Sequence, residues 1–130
     1  MQRELFASKI HALIPEASDE ALKNWIHYAK ELNEDEIEPE SSFYDAVYVE
    51  LSLVKLHHGD KIAAALFNYG EQFTLNPYEL RGAAILLAQG KSLHEVADYA
   101  VEHGCDPTEE ELQESKAALE AFQEYDMTLN

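Results

Sequence analysis

The chain is poor in cysteine, in positive charge and in long apolar runs, and each shortage excludes something. Cys105 is the sole cysteine, so neither an intramolecular disulfide nor a cysteine-based zinc site can form, and nothing points to an oxidising compartment. Nine Lys and Arg stand against 26 Asp and Glu, a formal net charge of −17. Charge of that size repels phosphate backbones and anionic lipid surfaces, which argues against direct binding of bare nucleic acid or membrane. The longest apolar run, Ala83 to Ala88, is too short for a bilayer. The opening Met1-Gln2-Arg3-Glu4-Leu5-Phe6 carries an acid where a signal peptide has an unbroken apolar stretch. The expectation is a cytoplasmic protein.

Catalytic and metal signatures are missing as well. There is no G-x-S-x-G elbow, no Walker A loop, no G-x-G-x-x-G turn and no EF-hand loop. His94-Glu95 is followed four residues after the histidine by Asp98, so the zincin H-E-x-x-H pattern fails, and His103 lies nine positions on. His57 and His58 are adjacent at an expected helix end, where histidine suits the negative end of the helix dipole. Cys105 precedes a helix start, but Glu102 and Asp106 nearby oppose its ionisation. No enzyme, metal or cofactor is expected.

What is present suffices for one folded domain over residues 1–130. Apolar residues make up 46% of the chain, with seven Tyr, five Phe and one Trp, well above the composition that leaves charged chains disordered. Helix punctuation recurs. Asn76-Pro77-Tyr78-Glu79, Ser92-Leu93-His94-Glu95 and Asp106-Pro107-Thr108-Glu109 each put a capping side chain ahead of a first turn, and Gly90 and Gly104 close the first two helices. Helices are therefore expected at about 77–89, 93–103 and 107–125. Leu5 to Ile14 and the run after Ser18 through Leu32 have helical spacing, and Asp60 caps an Ala-rich helix ending at Gly70. The stretch 43–58 alternates like a strand at Val47, Val49, Leu51 and Leu53, yet Phe43, Val47, Leu51, Val54 and His58 share a helical face. Sixteen residues without Gly or Pro favour helix. The fold class is all-α, a compact bundle of six to seven short helices joined by tight turns.

Charge is unevenly spread along that scaffold. Residues 1–50 hold 12 acids and 4 bases, residues 51–93 hold 3 and 4, and residues 94–130 hold 11 and 1. The neutral middle carries the apolar stretches 62–67 and 83–88, which suggests a central helical pair between acidic flanks. Two clusters stand out as a partner-binding surface: Glu31, Glu34, Asp35, Glu36, Glu38 and Glu40, then Glu102, Asp106, Glu109, Glu110, Glu111 and Glu114. Mutual repulsion keeps such acids on solvent-facing positions, and those of a first helical turn also complement the dipole.

Rows of carboxylates on a rigid scaffold can imitate duplex phosphates and so occupy a basic nucleic-acid channel. In composition and size the chain is similar to acidic antirestriction and anti-CRISPR inhibitors. The expected role is a non-enzymatic inhibitor of a basic, nucleic-acid-binding protein or nuclease, with DNA mimicry as one route. An immunity protein to a toxin nuclease would use the same chemistry. A helical adaptor, homodimeric or bound to another protein, would instead work through an apolar surface such as Tyr44, Tyr48, Tyr69 or Phe73. Finally, Glu95 to Gly104 followed by Thr108-Glu109-Glu110-Glu111-Leu112 resembles the helix–Gly–helix hairpin of Nif11-type peptide leaders over about twenty residues. Pro107 stands where those leaders carry an aromatic, and no core peptide follows, so the likeness implies a helix hairpin.

Overall fold

A nineteen-residue helix, α3 (Glu40–His58), runs through the middle of the protein with the other elements laid around it. It buries Phe43, Tyr44, Ala46, Val47, Val49, Glu50, Leu51, Leu53 and Val54, which take up more than half of its circumference, while Ser41, Asp45, Tyr48, Ser52, Lys55 and Leu56 on the remaining side are partly or fully exposed. So wide an apolar face must be covered by several neighbours. In this computed structural model, which describes residues 1–73 and 76–128 and only the backbone over 124–128, the cover comes from α1 (Arg3–Leu13), α2 (Asp19–Glu34), α4 (Asp60–Asn68), α5 (Leu80–Ala88) and α7 (Glu109–Thr128). The remaining helix, α6 (Leu93–His103), packs on α5. Seven α-helices and two short 3-10 turns, Tyr69–Glu71 and Pro77–Glu79, make up the described residues, with no strand among them and no helix long and apolar enough to cross a membrane. The all-α bundle is therefore the fold.

Aromatic rings fill the first half of the core. Tyr44 stacks on Phe6 with centroids 4.5 Å apart, Trp25 stacks on Phe67 at 5.9 Å, and Tyr28 meets Phe43 edge-on at 5.5 Å. Polar ties fix the start of α2 against the end of α4. Ser18 Oγ accepts from Ala21 N at 3.0 Å as the cap, Ser18 N donates to Asn68 Oδ1 at 2.9 Å, and Trp25 Nε1 donates to the Phe67 carbonyl at 3.0 Å. Gly70 lies flat against Trp25, where an added Cβ would come within 2.5 Å of Nε1.

The helix ends depart from the sequence reading in instructive places. Asn76 does cap, accepting from Tyr78 N at 3.0 Å, but Pro77–Glu79 winds as a 3-10 turn before α5 begins at Leu80. Asp60 is the first residue of α4 rather than its cap; Gly59, at φ +93°, holds the cap position. The cap of the last helix is Thr108, not Asp106. Its hydroxyl accepts from Glu111 N at 3.2 Å and donates to Glu111 Oε1, so the cap sits two residues later and α7 starts at Glu109. The stretches 62–67 and 83–88 do belong to touching helices, α4 and α5, but the centre of the bundle is α3.

Gly70→Ala tests the Trp25 contact. Neither the indole nor the backbone can retreat without losing the Trp25–Phe67 hydrogen bond, so the variant should lose about 1–3 kcal/mol of stability in urea unfolding; an unchanged midpoint would show the contact to be loose.

Candidate functional site

The two acidic clusters lie at opposite ends of α3. Glu31 and Glu34 occupy the last turn of α2, Asp35 to Glu38 the following loop, and Glu40 the first turn of α3. Glu102 ends α6, Asp106 lies in the connection, and Glu109, Glu110, Glu111 and Glu114 open α7, where Glu114 Oε1 is 3.0 Å from His57 Nε2 at the far end of α3. At 1.5 Å per residue, Glu40 and His57 lie about 25 Å apart along α3, whereas Asp106 acts on Glu79, next to Tyr78, which in turn feels Glu38.

Five of these twelve acids have cationic or imidazole neighbours. Arg3 Nε donates to Glu40 Oε1 at 3.0 Å, and Tyr44 OH donates to the same oxygen. The Tyr44 hydrogen bond, with Arg3 beside it, holds the Glu40 carboxyl below the usual range, while burial and Glu40 push the Tyr44 phenol up. Arg81 of α5 is a second hub. Its guanidinium donates to the Glu111 carbonyl at 2.9 Å, to Ser115 Oγ at 3.3 Å and to Glu114 Oε1. Glu31 lies 2.9 Å from His27 and Glu102 3.7 Å from His103. The other seven, Glu34, Asp35, Glu36, Glu38, Asp106, Glu109 and Glu110, have no ion-pair partner among the described residues. All are exposed except Glu38, whose carboxyl is raised by partial burial.

Glu36 is also held at φ +58°, the left-handed conformation that glycine favours. It is the residue that ends α2: Glu36 N donates to the Asn33 carbonyl at 3.2 Å and Ile37 N to the Leu32 carbonyl at 3.0 Å, the Schellman pattern. An acid stands where glycine would relieve strain.

Sequence reasoning missed Glu50. Only 3% exposed, it sits mid-α3 beneath α7. Burial raises its carboxyl pKa; the Ser115 hydroxyl and Arg81 pull it back, and Glu111 and Glu114 push it further up. Glu111 Oε2 is likewise buried without a hydrogen-bond partner, 3.9 Å from Arg81 Nε. One guanidinium thus serves three carboxylates. The signal in the sequence was a lone acid within an apolar run, Val49-Glu50-Leu51. Beside Glu50 opens a groove of about 320 Å³ between α3, Pro77–Glu79 and α7, with Ala46, Val49, Tyr78, Leu112 and Leu119 on its walls and Ser115 and Lys116 along α7. Tyr78 stands between Glu38 and Glu50, and burial together with both acids raises its phenol.

The aromatic residues expected to form an apolar surface are mostly not there. Tyr44 is fully buried against Phe6, because it lies on the α1-facing side of α3. Tyr48 is half-buried, with the Phe122 ring 5.3 Å away and Lys9 over its face. Tyr69 is half-buried, and Phe73 is exposed. Cys105 is buried against Gly82, and burial with Glu79 and Asp106 raises its thiol. No group of three or more metal-ligating side chains is gathered among the described residues. The chain matches no protein-family model, no curated protein and no solved structure.

Glu50→Gln should raise stability at neutral pH and leave it unchanged below about pH 4. The folded pKa is raised, so the carboxyl's contribution is fully favourable below the unfolded value of about 4.3 and is lost as pH rises through the folded one. Urea midpoints of both proteins at pH 4 and pH 7 give the check; a loss at pH 7 would mean that the ion pair with Arg81 outweighs desolvation.

Proposed function

We propose that the protein is a non-enzymatic acidic binding protein that occupies a basic, nucleic-acid-binding partner and so inhibits it. The observation that carries this reading is the set of seven carboxylates without an ion-pair partner among the described residues, four around the start of α3 and three around the start of α7. Two acidic groups on a fixed frame suit a basic channel better than a single point of attachment does. The residues that would make the contact are Glu34, Asp35, Glu36 and Glu38 at one end and Asp106, Glu109 and Glu110 at the other. Glu40, Glu111 and Glu114 serve the fold through Arg3 and Arg81, and their contribution to binding is long-range field. The same surface would serve whether the target is a defence nuclease or a toxin nuclease.

The test begins with capture of a partner from the native host or its invaders, followed by titration of the purified pair. Association should weaken steeply with salt, duplex DNA should compete, and reversing Glu34, Asp35 and Glu36, or Asp106, Glu109 and Glu110, to Lys should each weaken binding by about tenfold or more. Reversal of Glu16, Glu20 and Asp98, which changes net charge equally, should do much less. Affinity indifferent to salt, or equal loss in all three variants, would remove the reading.

A further inference from the structure

We propose that the groove between α3, the Pro77–Glu79 turn and α7 is the docking site for a basic amphipathic helical segment of the partner, whose apolar face enters the groove and whose cation meets Glu50. The inference rests on the acidic-binding reading above and gives it a defined contact.

Three independent features of the groove point to that occupant. Its walls are apolar, and two of them lie open: Tyr78 is 46% and Leu112 is 48% exposed. An exposed leucine and tyrosine facing a concave apolar strip mark a surface suited to side chains at helical spacing. Second, the floor holds a buried carboxylate that shares its guanidinium neighbour with two other acids. Glu50 is 3% exposed, with the Ser115 hydroxyl and Arg81 as its favourable neighbours, and Arg81 already donates to Glu114, Ser115 and the Glu111 carbonyl. A buried carboxylate with a shared cation, lining an apolar groove, is an acceptor for a guanidinium or ammonium carried on an apolar stem. Third, acids act on both walls of the groove. Tyr78 on one wall feels Glu38 and Glu50, and Ser115 on the other accepts from Arg81, which also donates to Glu114. A basic segment in the groove would have acids near each wall as well as Glu50 beneath it. The charge pattern selects a basic segment over a neutral one; Lys116, exposed beside the groove, is the single base among the lining residues.

The other candidate sites are weaker. The hollow between His57, His58, Arg81 and Glu110 is open and lined by the already paired Arg81 and Glu114, and the open polar hollow at the α1 and α3 starts is lined by the already paired Arg3 and Glu40.

The experiment uses the full chain and three synthetic probes of equal charge: an amphipathic helical peptide with Leu at i, i+3, i+4 and i+7 and Arg on its flanks, its scrambled counterpart, and oligolysine. Fluorescence anisotropy at low salt should show the amphipathic peptide binding about tenfold or more tighter than the other two. Glu50→Gln and Leu112→Asp should each abolish that preference while leaving scrambled-peptide binding nearly as it was. Since Glu50→Gln is expected to stabilise the fold, loss of preference in it cannot be attributed to unfolding; circular dichroism of Leu112→Asp supplies the same control. Equal binding of all three probes would overturn the groove and leave the electrostatic reading standing. Binding of none would overturn both. A dimer in sedimentation that Leu112→Asp dissociates would assign the groove to a second copy of the chain and overturn the proposal.

Discussion

Burial of the wide apolar face of α3 is the constraint from which the remaining architecture follows. A nineteen-residue helix buried over more than half of its circumference cannot be covered by a single neighbour. Five helices are drawn against it, so the acids other than the buried Glu50 fall mainly on the outer faces and the ends of the bundle. Repulsion among those acids is lowest where they point apart into water, which is at the ends. The division of charge into two separated groups is thus a geometric result of the core.

That arrangement leaves one internal tension. α7 carries a dense acidic first turn and must still pack on α3, which presents Glu50 toward it. Arg81 resolves most of the conflict by donating to Glu114, Ser115 and the Glu111 carbonyl, but one guanidinium cannot satisfy three carboxylates. Glu50, the most buried of the three, lines an apolar groove. Stability alone would place a neutral side chain at position 50. Retaining an acid there, like holding Glu36 in a glycine-like conformation, is intelligible if the cost is offset when a cation arrives.

Much of the fold was legible from local signals. Ser18 and Ser92 cap as their positions imply, and Gly104 ends α6, because caps depend on a few adjacent residues. α3 was ambiguous for a physical reason: a helix with so wide an apolar face keeps only a narrow polar strip, Ser41, Asp45, Ser52 and Lys55, to reveal its period, and its apolar residues also fit a strand's alternation. The same ambiguity made the Ala-rich pair 62–67 and 83–88 look central. Thr108 was passed over as a cap because Asp106-Pro107 offers a competing pattern two residues earlier. The acidic clusters were visible by count, whereas Arg81, Glu50 and the groove depend on contacts 30 or more residues apart that no local pattern carries.

Native-state hydrogen exchange on the free protein tests this account most directly. If α3 is the element on which everything else rests, its amides from about Tyr44 to Val54 should exchange only through global unfolding, with those of α6 and α7 opening earlier and at lower free energy. Protection in α7 equal to or above that of α3, or opening of α3 while the outer helices remain protected, would contradict it.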